Sequence, residues 1–76
     1  MTPGFTEQLE EYFTEVVPLP EFIDHLDRLL YYLFYYYSAE ALNDFSIIFD
    51  DVYRFKRVLQ NFEIVNGKLQ EKNGNQ

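Results

Sequence analysis

Residues 29–37 read Leu-Leu-Tyr-Tyr-Leu-Phe-Tyr-Tyr-Tyr, nine large side chains in succession. In a helix each residue turns by about 100°, so this run passes more than twice around the axis. No single buried stripe can hide all of it. Whatever the chain folds into must bury one side of this segment and leave aromatic rings on the other.

Two breaks divide the rest of the chain into three helical periods. The first helix is predicted at about residues 3–17. Phe5, Leu9, Tyr12, Phe13, Val16 and Val17 form its apolar stripe, and Glu7, Glu10, Glu11 and Glu15 its opposite face. Thr2 is the expected N-cap and Pro3 the first helical residue. Pro18-Leu19-Pro20 ends this helix, because Pro18 cannot donate to the ladder and a residue before proline is driven to extended geometry. The second helix, about 20–37, carries Phe22, Ile23, Leu26, Leu29, Leu30, Leu33, Phe34 and Tyr37 on an arc wide enough for a middle helix with two neighbours. Ser38 is the expected cap of the third, with Asn43-Asp44 as the rival turn. That helix is predicted at about 39–65, on Ala41, Leu42, Phe45, Ile48, Phe49, Val52, Phe55, Leu59 and Phe62, with Gly67 as its stop. No alternating strand run is read, and residues 68–76 are expected to be a disordered polar tail. The expected fold is all-α: a three-helix up-down-up bundle forming one domain over residues 1–66, followed by a flexible polar tail over 67–76.

A chain of 76 residues makes a small domain, and such a domain buries only about 60% of its unfolded surface. Without cysteine, no disulfide or thiolate metal site can supplement that core. The 8 Phe and 7 Tyr can, at about 150–250 Å² of buried area per ring; oligomerisation is the other remedy. The N-terminus has neither the positive charge nor the apolar run of a leader, and residues 29–37 fall short of the roughly 20 apolar residues of a membrane span. A cytoplasmic, membrane-free protein is expected.

Net charge is −7, unevenly spread. Residues 1–53 hold 11 acids against Arg28 alone, whereas residues 54–76 hold five bases against Glu63 and Glu71. The acidic part argues against direct nucleic-acid binding, which requires phosphate-neutralising bases. Catalytic signals are missing too. Ser38 and Ser46 are the only serines, and Gly4, Gly67 and Gly74 are scattered near the ends rather than gathered into a phosphate loop. Glu21 and His25 are four apart, but the residue three before His25 is Phe22, which breaks the Glu-x-x-His pattern of di-metal bundles. We expect no enzyme, cofactor or metal site.

Three surfaces remain. Glu7, Glu11 and Glu15 form an i, i+4 ladder that Asp24 and Asp27 could extend, an acidic face able to imitate a nucleic-acid backbone. The basic cluster around Arg54 and Arg57 is expected to pair with Asp24 and Glu21 across the second and third helices. The strongest surface is aromatic: Tyr31, Tyr32 and Tyr35 project away from the core stripe, with Arg28 one turn earlier and within cation–π reach. Tyr and Arg recur as interface hot spots. Ile47, Asp51, Arg54 and Val58 make a secondary patch on the third helix. The chain therefore reads as a small acidic protein–protein interaction module (adaptor, inhibitor or assembly subunit) binding another protein or itself. The alternatives are an acidic mimic that blocks a nucleic-acid-binding protein, and a structural homodimer.

Overall fold

The computed structural model describes residues 3–37 and 45–72. Helix α1 spans Phe5–Glu11 and runs into a π-turn at Tyr12–Val16; α2 spans Leu19–Tyr37 and α3 Phe45–Leu59. Strands β1 (Phe62–Val65) and β2 (Lys68–Glu71) close the chain as an antiparallel hairpin. The all-α expectation is thus overturned: the molecule is mostly helical but carries a two-stranded sheet. The turn proposed at Ser38, and its rival at Asn43-Asp44, lie outside the described residues.

Local chemistry accounts for each boundary. The cap of α1 is Gly4, not Thr2, and its N–H donates to Glu7 Oε1 at 2.7 Å. That is the carboxylate half of a capping box. At the other end, the Val17 N–H reaches Tyr12 O at 3.1 Å, an i→i+5 bond that takes one extra residue into the turn. The extra residue shifts the phase of the stripe: Val16, expected in the core, points out, and Val17 packs inward. Val17 is extended (φ −151°, ψ 134°), as a residue before proline prefers. Pro18 then accepts the Phe22 N–H at 3.0 Å, and Pro20 sits in the first turn of α2, where its missing donor is harmless.

The third helix stops at Leu59, not near residue 65. Phe62 stands in helical phase with Phe55 and Leu59, which disguises the change of period. Beyond it, Phe-Glu-Ile-Val-Asn-Gly-Lys-Leu-Gln-Glu is a hairpin. Asn66 (φ 54°) and Gly67 (φ 77°) both occupy the left-handed region, as a two-residue type I′ turn requires. Phe62 pairs with Glu71, Ile64 with Leu69 and Val65 with Lys68. The Lys72 N–H to Asn61 O bond, 2.7 Å, carries the ladder one step further. Strand periodicity puts Phe62, Ile64 and Leu69 on one face, and all three pack on the core. The span expected as a disordered tail from residue 68 is therefore β2 as far as Glu71.

Gly67→Ala tests the turn. Nothing lies within 4 Å of the added Cβ, so the whole penalty is conformational. We expect about 1–2 kcal/mol of lost stability in urea unfolding.

A lone two-stranded hairpin is marginal in water, so this one depends on its packing. Its inner face meets the buried cluster of Phe13, Leu19 and Leu59, around which Leu9, Val17, Phe22, Ile23 and Leu26 are arranged. The Leu69 N–H on the outer edge of β2 donates to Glu10 Oε2 of α1 at 2.9 Å. Helix α1 thus rests on β2 instead of running as a third bundle member. Helices α2 and α3 lie antiparallel, as Lys56 Nζ to Asp27 Oδ1 (2.6 Å) and the Phe34–Phe49 ring pair (6.3 Å) show. The β-hairpin, α1 and the π-turn cover the N-terminal half of α2 and the C-terminal end of α3. Farther along, cover is lacking. Phe5, Leu29, Phe34, Ile48 and Phe55, all expected in the core, are exposed, while Leu30 stays buried.

Candidate protein interface

Helix α2 puts Tyr31, Tyr32, Tyr35 and Tyr36 on its outer side, beyond the reach of the covering layer. They are 62%, 52%, 65% and 63% exposed. Their spacings of one, three and four residues bring the rings together on the helix surface. Tyr31 stacks on Tyr35 (5.8 Å, 20°); Tyr31 meets Tyr32 edge-on at 5.8 Å, and Tyr35 meets Tyr36 edge-on at 4.9 Å. Tyr32 and Tyr36 are 6.3 Å apart and tilted. Offset-stacked and edge-to-face pairs are the favoured aromatic geometries. Four rings therefore form a mutually braced, exposed plate.

Tyr36 was missing from the expected set, although it lies four residues after Tyr32. Arg28 is beside the plate but engaged elsewhere: its Nε lies 3.0 Å from Asp24 Oδ2. The cation–π contacts among the described residues fall on Tyr53, beneath Lys56 (5.1 Å) and Arg57 (5.9 Å). The expected Arg54–Asp24 and Arg57–Glu21 pairs do not form. Arg54 Nε meets Asp50 at 2.8 Å along its own helix, and Arg57 donates to the Tyr53 hydroxyl at 3.1 Å. The interhelical ion pair is Lys56–Asp27, whose lysine is nearly enclosed.

Ile47, Asp51, Arg54 and Val58, the residues of the secondary patch, are all exposed on α3. Ile47 and Asp51 also line a cleft of about 500 Å³ with Phe34, Phe45 and Phe49. A narrower apolar groove of about 350 Å³ separates α1 from α3, walled by Phe5, Leu9, Phe55 and Val58 and floored by Leu69.

The acidic face is largely spoken for. Glu7 caps α1, Asp24 pairs with Arg28, and Asp27 with Lys56. The π-turn also breaks the α-helical spacing between Glu11 and Glu15. Among the described residues no three His, Cys, Asp or Glu side chains are grouped to hold a metal ion, and no helix is long and apolar enough to cross a membrane. No protein-family model matches this chain, and neither the curated proteins nor the solved structures contain a significant match.

Proposed function

We propose that this chain is a small acidic protein–protein interaction module that binds a partner protein through the tyrosine plate of α2. The observation that carries this reading is the plate itself: four adjacent tyrosines, each more than half exposed and each touching at least two of the others. Solvation alone gives no reason to gather rings this way. Binding does, because rings already held by one another lose little freedom when a partner covers them. Tyrosine also offers a large apolar area and a polar tip, which suits a surface that is wet when free and dry when bound. Nucleic-acid mimicry draws less support, since three of its five acids already serve the fold.

Tyr31→Ala with Tyr35→Ala is the test. Both rings are exposed, so the double variant keeps its helical circular dichroism and unfolds within about 0.5 kcal/mol per site of the parent. A partner captured by the parent chain and identified by cross-linking should bind the variant at least about 2 kcal/mol more weakly per anchor. Equal binding by the folded variant removes the proposal. A steep salt dependence that survives the double substitution would redirect attention to the acids.

A further inference from the structure

The stripe by which α2 enters the core does not stop where its cover does. Phe22 and Leu26 pack on the buried cluster. Leu29, Leu33 and Tyr36 continue the same face at helical spacing. On α3, Leu59 is in the cluster, and Phe55, Val52 and Ile48 prolong its face in the other direction. Because Asp27 meets Lys56 and Phe34 meets Phe49, these two sets lie at the same level of the helical hairpin. Together they form a shelf across both helices. Leu29, Tyr36, Ile48 and Phe55 are 43%, 63%, 49% and 51% exposed.

We propose that this shelf is a self-association surface: it pairs with the same shelf of a second copy about a two-fold axis, so that two α2–α3 hairpins make a four-helix layer pair. Two observations favour a second copy as the occupant. The radius of gyration is 15.1 Å, against about 11 Å for a compact chain of this length, so the fold leaves more surface uncovered than a compact domain does. The shelf's own area is sufficient. Half-exposed large side chains at about 200 Å² each give on the order of 500 Å² per copy, and the pair reaches the roughly 1,000 Å² of a specific interface. An isologous contact also places apolar on apolar automatically. Tyr36 stands on the border between shelf and plate; Tyr31, Tyr32 and Tyr35 lie on the outer flank of α2, so each dimer still presents two three-ring faces.

Sedimentation equilibrium of the whole chain between about 1 and 100 µM tests it. The expected mass is twice 9.2 kDa, and the thermal midpoint should rise with concentration. Ile48→Glu and Leu29→Glu put like charges against each other across the axis and should weaken self-association on the order of 30-fold or more. Ile48→Ser serves the same purpose at a half-exposed site should either charge prevent folding. Tyr31→Ala with Tyr35→Ala should leave the dimer intact, which separates this surface from the plate. A monomer at all concentrations, a concentration-independent midpoint, a dimer unaffected by the folded Ile48 variants, or a dimer lost in the tyrosine double variant would each overturn the proposal.

Discussion

Leu19→Ala should come close to unfolding the protein. Leu19 is the most deeply buried side chain described, 2% exposed, and it joins Phe13 of the π-turn to Leu59 of α3. Large-to-small changes at such sites cost about 2–5 kcal/mol, and full burial at a three-element junction puts this one in the upper half. A domain of this size has on the order of 5 kcal/mol in total. Urea unfolding followed at 222 nm should show a midpoint near zero denaturant. Phe5→Ala removes a larger ring at 78% exposure and should move stability by no more than about 0.5 kcal/mol. The two residues look equally apolar in the sequence, so the pair measures what tertiary position adds.

Truncation after Asn61 should be as severe. It removes Phe62, Ile64 and Leu69, which pack on the core cluster, and uncovers Leu59 and Phe13 beneath them. At about 1–1.5 kcal/mol for each of the three half-buried side chains, and a further ~1–2 kcal/mol in all for uncovering Leu59 and Phe13, the loss is about 4–6 kcal/mol, comparable with the entire stability. The shortened chain should show no cooperative thermal transition. If the segment after residue 67 were a disordered tail and residues 62–65 the frayed end of a helix, the melting curve would hardly change.

That segment also shows how reading by period can mislead. Asn66-Gly67 between Phe-Glu-Ile-Val and Lys-Leu-Gln-Glu is the strongest short-range hairpin signal a sequence can carry. It was legible, but the helical spacing of Phe55, Leu59 and Phe62 claimed Phe62 first and turned Gly67 into a helix stop. Leu19 was hidden for a related reason. Enclosed by two prolines, it reads as linker, yet the prolines are what turn the chain so that this one side chain enters the centre of the core. The tyrosine face was legible in outline, because nine large residues cannot share one stripe. Tyr36 was missed because a face read from three rings does not reveal the ring-to-ring contacts that add a fourth.

Local chemistry along the chain is enough to place its helices, the proline breaks between them and the need to leave aromatic side chains outside. These follow from backbone sterics and a rotation of about 100° per residue, which act over a few residues. Which apolar residues are core is a matter of how the elements dock. Phe13 and Phe5, and Leu30 and Leu29, are indistinguishable by type, and each pair is split between interior and surface. The split depends on how far a short helix and an eight-residue pair of strands reach over two long helices. That reach is a property of lengths and docking, set by contacts such as Glu10 to Leu69, 59 positions apart. No local pattern encodes a separation of that kind.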